Sequence, residues 1–244
     1  MNTTESEVSP NQIAAFFDLD GTLLPAPSLE WRFIAYLLSQ DEISADHMIC
    51  WLGHWAKTFP RNPRAAANAN KYYLAGLRES LVGDWADSVE PGSIAMLTGG
   101  VAGIVWHLAQ QHRVFIVSGT LATLARVLAT RISPDIKVIA TDLEVSRGLW
   151  TGQLAGEHIH GKTKQRVIRD CEARLKLRLD LSYAYGNESA DVPMLESVGY
   201  PQVVNPGARL RRIARKRSWP IRHWIAHNES ALESAHSLTE REAR

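Results

Sequence analysis

Two aspartates one residue apart, Asp18 and Asp20, close a short apolar run and open the segment Asp18-Leu19-Asp20-Gly21-Thr22-Leu23. A carboxylate at such a place can attack phosphorus and form an aspartyl-phosphate, dividing one difficult displacement into two easier ones. A second carboxyl two residues on can protonate the departing oxygen and later deprotonate the attacking water. Phosphate-ester hydrolysis also needs positive charge against the phosphoryl oxygens, and Lys164 or Lys162 in His160-Gly161-Lys162-Thr163-Lys164 is placed to supply it. A carboxylate approaching a phosphate dianion calls for a hard cation between them, and Mg²⁺ takes oxygen ligands in octahedral geometry. The Asp18 carboxylate, the Asp20 backbone carbonyl and the Asn187 side-chain oxygen form such a donor set, with Asp191 as a further ligand or just outside it. Ser118 and the Gly119 backbone N–H are suited to bind phosphoryl oxygens.

These residues lie far apart in the chain, so the elements that carry them must bring them together. Ile13-Ala14-Ala15-Phe16-Phe17 is a short, aromatic, continuously apolar run ending at Asp18, the pattern of a strand buried on both faces. Similar runs recur at 114–117, 138–140, 183–185 and 203–204, with helix-length segments between them. That alternation predicts an α/β fold, a Rossmann-like parallel sheet covered by helices. Three of the runs lead straight into polar clusters, at 18–22, 118–120 and 186–191. In an open α/β sheet ligands bind outside the carboxyl ends of the strands, where those clusters would converge. Between Leu24-Pro25-Ala26-Pro27 and Glu90-Pro91-Gly92 lies a stretch with helical apolar spacing and Trp31, Trp51, Trp55 and Trp85, read as a helical insertion between proline hinges. Leu143 to Thr151 reads as a hairpin or flap turning at Arg147-Gly148.

With the motifs in view, the chain resembles the haloacid dehalogenase (HAD) superfamily, in particular its phosphoserine-phosphatase-like subfamily, along nearly its whole length. The first motif is matched by Asp18 to Thr22, the second by Ser118, the third by a lysine and the fourth by Gly186 to Asp191. Lys164 fits the third better than Lys162, because Val167 and Ile168 follow it at three and four residues. The resemblance implies a catalytic core at 1–27 and 91–244 with a C1-type helical cap at 28–90. It also implies an Mg²⁺-dependent phosphatase of small phosphorylated metabolites. Asn187 stands where most relatives carry aspartate, which removes one negative charge from the expected metal site. A phosphotransferase using the same Asp18 phosphoryl-enzyme, and a non-catalytic phosphate-binding relative, are the alternatives.

Composition narrows the remaining classes. The 244 residues carry 27 Lys plus Arg against 26 Asp plus Glu, so no long-range field attracts nucleic acid or an acidic membrane. Without a leader pattern or a bilayer-length apolar run, a cytoplasmic location is expected. Cys50 and Cys171 have neither metal nor redox spacing and read as buried free thiols. The basic segment 209–217 places Leu210, Ile213 and Ala214 on one face and reads as an amphipathic helix with a solvated side, not a nucleic-acid site. His158 and His160 are assigned to the surface of the flap. Glu30, Arg32, His54, Lys57 and Arg78 are the candidates for contact with the leaving group. The oligomeric state is not legible in the sequence.

Overall fold

The computed structural model describes residues 9–58, 71–90 and 92–227, less the side chains of Cys50, His54, Trp55, Lys57, Thr58 and His227. The first strand explains the layering. β1 (Ala14–Phe17) is wholly buried, and because side chains alternate along a strand, Ala14 and Phe16 enter one apolar layer while Ala15 and Phe17 enter the other. Phe16 stacks on Phe115 with ring centroids 5.1 Å apart, and Phe17 stacks on Tyr185 at 4.2 Å. Burying each phenylalanine contributes about 2–3 kcal/mol.

β1 pairs with β3 (Arg113–Leu121) on one side and with β7 (Tyr183–Gly186) on the other, all parallel. Beyond β3 lies β4 (Lys137–Thr141), and beyond β7 lie β8 (Tyr200–Val204) and β9 (Ile221–Arg222). The sheet order β4-β3-β1-β7-β8-β9 means that the chain builds outward from β1 in one direction, then returns and builds in the other. β1 is therefore the topological switch point, where a crevice opens at the carboxyl ends of the strands. A separate short pair joins β2 (Met96–Leu97) to β10 (Ala226–His227). Those two strands and β9 carry too few apolar residues for the sequence pattern to announce them.

The helices on the sheet are α4 (Thr98–Ala109), α5 (Ala122–Ile132), α6 (Lys162–Leu175), α7 (Val192–Leu195) and α8 (Ala208–Lys216). α8 buries Leu210 and Ala214 and leaves its basic face in solvent. Cys171 is a buried free thiol on α6.

Residues 28–90 supply α1 (Leu29–Ser39), α2 (Ala45–Thr58), a 3₁₀ turn at Tyr72–Leu74 and α3 (Leu81–Ser88). α1 starts where the Ser28 hydroxyl accepts the Trp31 N–H, a standard N-cap, and buries Leu29, Phe33 and Leu37. These side chains belong to the same apolar cluster as Ala15 and Phe17, so α1 shares the core of the sheet. β5 (Leu143–Ser146) and β6 (Leu149–Leu154) form the expected hairpin. It does not stand free as a flap: Trp150 N–H donates to Leu77 O at 2.9 Å, Gly76 N–H donates to Trp150 O at 2.8 Å, and the Trp150 ring packs edge-on against Phe33. The hairpin thus fastens the helical segment from the far side.

His107 on α4 is fully buried and meets His112 (Nδ1 to Nδ1, 2.9 Å) and the Tyr185 hydroxyl (3.0 Å from Nε2). Burial, aided by His112, pushes its pKa down to about 3. The unfolded chain takes up this proton near the ordinary 6.5 and the folded chain does not, so stability is full above pH 6.5 and drains as pH falls toward 4. The expected slope is about 1.4 kcal/mol per pH unit for each such proton. Urea-unfolding free energies between pH 7 and pH 4 check this. His107→Gln should shallow the slope by about one proton, and an unchanged slope would show that His107 is not its source.

Candidate active site

Asp18 follows β1 directly. Its N–H donates to Tyr185 O at 2.9 Å, so the β1–β7 ladder fixes the direction in which the carboxylate leaves the sheet. Next comes a tight turn in which Leu23 and Leu24 N–H groups both reach Leu19 O. Gly21 sits in it at φ +85°, and a Cβ there would lie 2.0 Å from Asn187 Nδ2. Glycine is required twice over, by backbone conformation and by close approach. Thr22 Oγ1 bonds both Asp18 Oδ2 (3.1 Å) and Asn187 Oδ1 (3.3 Å), linking the loop after β1 to the loop after β7.

Lys164, in the first turn of α6 and 3% exposed, places Nζ 2.5 Å from Asp18 Oδ1 and 2.7 Å from Asp191 Oδ1. The second Asp191 oxygen accepts the backbone N–H groups of Asn187 (3.1 Å) and Glu188 (3.0 Å). Asp191 therefore shapes the 187–191 loop and holds Lys164 at once. Gly186 leaves room for this, since a Cβ there would meet the Asp191 side chain at 2.6 Å. Lys162, two residues earlier, is exposed and outside the cluster. Burial opposes the charge of Lys164, but Asp18 and Asp191 outweigh it and raise its pKa, so the ammonium persists. Burial, reinforced by Asp191 and opposed by Lys164, pushes the Asp18 carboxyl up to about 7. Two buried carboxylates around one ammonium leave a surplus negative charge that a proton or a bound cation must offset.

Asp20 is held differently. Its Oδ1 accepts the Leu29 N–H at the start of α1 (2.7 Å), and its Oδ2 accepts the Thr120 hydroxyl (2.5 Å). Ser118 Oγ accepts the Thr120 N–H at 3.1 Å, which folds the 118–120 segment back over the end of β3. The three strand-end loops thus converge on the floor of a cavity of about 620 Å³, lined there by Asp18, Asp20, Ser118, Gly119, Lys164, Asn187 and Asp191.

The donors on this floor are all oxygens: carboxylates, a side-chain amide and the loop backbone. That chemistry, with the surplus negative charge, fits a hard divalent cation. Among the described residues no group of three or more His, Cys, Asp or Glu side chains is arranged to hold a metal ion.

The model of the haloacid dehalogenase-like hydrolases matches residues 15–196, three-quarters of the chain and every loop just described. The chain belongs to that family. Within this HAD-family hydrolase the matched span runs from β1 to α7 and includes the helical segment. The chain is 38% identical over 235 residues to phosphoserine phosphatase SerB1 of Mycobacterium tuberculosis, covering 89% of this chain and 73% of the relative. A solved protein of unknown function from Bordetella pertussis shares the fold at TM-score 0.70 and 25% identity, covering 86% of this chain and 97% of that one. A probable phosphoserine phosphatase from Vibrio cholerae aligns at TM-score 0.59 and 15% identity, over 95% of this chain and 67% of that one.

Above the floor, the sequence reading of the HAD chain needs correction. His158 and His160 are not on an outer flap surface but line the cavity, and His158 lies so near Gly119 that a Cβ there would meet its Nε2 at 3.0 Å. The alternation of the two histidines before Lys164 was the available signal. Of the leaving-group candidates, Glu30 lines the cavity, whereas Arg32 is spent on the carbonyls of Pro27 and Pro25 and Arg78 faces Glu42. His54 and Lys57 side chains lie outside the described residues. Lys71 was missed altogether: it is buried, and its Nζ bonds Glu30 Oε1 at 2.5 Å and Oε2 at 2.6 Å. The Tyr73 hydroxyl donates to the same carboxylate. A lone lysine ahead of two tyrosines carries no motif or period by which sequence could have singled it out.

Proposed function

We propose that this HAD-family hydrolase is an Mg²⁺-dependent phosphatase of phosphomonoesters, with Asp18 as nucleophile and Asp20 as general acid and base. The observation that carries the reading is the division of labour between the two carboxylates. Asp18 is bonded to the buried Lys164 ammonium and meets the Thr22 hydroxyl that also reaches the Asn187 amide oxygen, whereas Asp20 is held by the Thr120 hydroxyl and the N–H of Leu29 at a helix start. One group is set to meet phosphorus and the other to handle a proton.

In this reading the ester lies with its phosphoryl oxygens against Lys164 Nζ, the Ser118 hydroxyl and the Gly119 N–H. Asp18 Oδ2 or Oδ1 forms the new bond to phosphorus while the ester oxygen departs with a proton from Asp20. Asp20 then takes a proton from water, whose oxygen attacks the phosphoryl group on Asp18 and releases it as phosphate. Lys164 keeps its charge throughout, and Asp191 keeps Lys164 in place. Mg²⁺, held by the Asp18 carboxylate, the Asp20 carbonyl and Asn187 with Asp191 close by, would offset the mutual repulsion of carboxylate and phosphate. Residues 28–90 act as the cap that bounds the leaving-group side and excludes water. The mycobacterial relative named a phosphoserine phosphatase supports a phosphomonoester as substrate.

The test is release of inorganic phosphate from a generic aryl phosphate with and without Mg²⁺; no release with metal would reject the reading. Asn187 adds a sharper outcome. Restoring the anionic ligand in Asn187→Asp should lower the Mg²⁺ concentration for half-maximal activity by about tenfold, because affinity follows ligand charge. A value unchanged or raised would remove Asn187 from the metal site.

A further inference from the structure

The cavity above Asp18 has two kinds of wall, and together they describe the alcohol that leaves. On one side the only charges that the described residues of the helical segment contribute to the lining, Glu30 and Lys71, are bonded to each other through both carboxylate oxygens, with the Tyr73 hydroxyl closing the cluster. A zwitterionic leaving group needs a carboxylate for its ammonium and a cation for its carboxylate. Here the two have satisfied one another in a buried setting, and such a ligand would have to part them. His158 stands beside them, its pKa pushed down to about 4 by burial above all, then by Lys71 and His160, so it is neutral at pH 7.

The other wall is apolar. Trp31, Ile34 and Leu38 descend one face of α1, and Ile43, Met48 and Trp51 continue from the following turn into α2. Trp31 is 64% exposed, Leu38 54% and Met48 49%. Large apolar side chains left this open, side by side and continuous with a catalytic floor, mark a surface made to be covered. Their line from Trp31 to Leu38 spans seven helical residues, roughly 10 Å at the helical rise, room for an alkyl chain of about eight carbons.

We propose that the substrate is the phosphomonoester of an apolar alcohol, a long alkyl or comparably apolar chain, lying along Trp31, Ile34, Leu38, Ile43, Met48 and Trp51. The inference rests on the phosphatase reading above and names its substrate class. A small amino-acid phosphate, the substrate in the name of the mycobacterial relative, uses none of this wall.

The experiment is phosphate release from n-butyl, n-hexyl and n-octyl phosphate and from phosphoserine, at concentrations where the esters are monomeric, with an aryl phosphate as reference. Because the wall is partly open, kcat/KM should rise about twofold per added methylene rather than the larger factor of full burial. The rise should be carried by KM, and phosphoserine should fall below the butyl ester. Leu38→Gln with Met48→Gln should flatten the series. Activity on the aryl phosphate with no dependence on chain length, or with phosphoserine preferred over octyl phosphate, overturns the substrate class and leaves the phosphatase standing. No release from any ester overturns both. A flat series together with a dimer in sedimentation, dissociated by the double substitution, assigns the apolar wall to a second copy of the chain and also overturns the proposal.

Discussion

Asp18→Asn should reduce phosphate release by about 10⁴-fold or more while leaving the fold intact. The amide is isosteric and can still accept from Thr22, but it cannot form an acyl-phosphate by attack on phosphorus. The loss should appear in kcat with little change in KM, since what disappears is made in the transition state and not in the bound ester. The structural cost should be small, for a reason particular to this site. Asp18 is the carboxyl that burial pushes up to about 7, and Lys164 retains Asp191 at 2.7 Å after the change. Thermal unfolding within about 2 °C of the parent protein, beside the lost activity, is the expected pair of results. An activity reduced only tenfold would show that another group attacks phosphorus.

Lys164→Met should cost both activity and stability. The ammonium is the sole cation in contact with Asp18 and Asp191 in the described structure, and removing it leaves two buried carboxylates facing one another. Breaking a buried pair in this way costs about 3–5 kcal/mol, which for a chain of this size lowers the melting temperature by roughly 6–20 °C. The penalty should be pH-dependent with a definite sign. With the lysine gone the shared charge raises a carboxyl pKa further, so a proton relieves the repulsion and the deficit should narrow as pH falls toward 5. Millimolar Mg²⁺ should narrow it too if the cation enters the same cluster, which melting curves read without any turnover. A deficit under about 1 kcal/mol, indifferent to pH and to Mg²⁺, would mean that the two carboxylates do not depend on Lys164.

Much of the fold was legible because its strands are buried on both faces. Ala14 to Phe17 and Val114 to Val117 are continuous apolar runs for that reason, and the polar residues closing them stand at the crevice. The convergence of the floor residues was legible for a related reason: polar clusters that close buried parallel strands stand together at the carboxyl ends of those strands. The cavity walls follow no such rule. Lys71 and Glu30 are neighbours only because α1 and the 3₁₀ turn at Tyr72–Leu74 fold against each other, forty-one positions apart in the chain. His158 reaches Gly119 through the run that follows the hairpin, and nothing local in Glu157-His158-Ile159 says whether that run turns inward. Strands as short as Ile221–Arg222 owe their existence to an edge already formed by Val203 and Val204.

The seating of α1 bears on how a substrate gains entry. Leu29, Phe33 and Leu37 are fully buried, and the first N–H of the helix is bonded to Asp20. Swinging α1 outward would strip roughly 2 kcal/mol of burial from each of the three side chains and release Asp20 from its support. α2 is seated more shallowly where it is described: from Ala45 to Leu52 none of its described side chains is buried, and Trp51 packs partly buried against the same core. α1 is therefore a fixed side of the entrance, and Asp20 keeps the orientation that the Leu29 N–H gives it for as long as the helix stays seated.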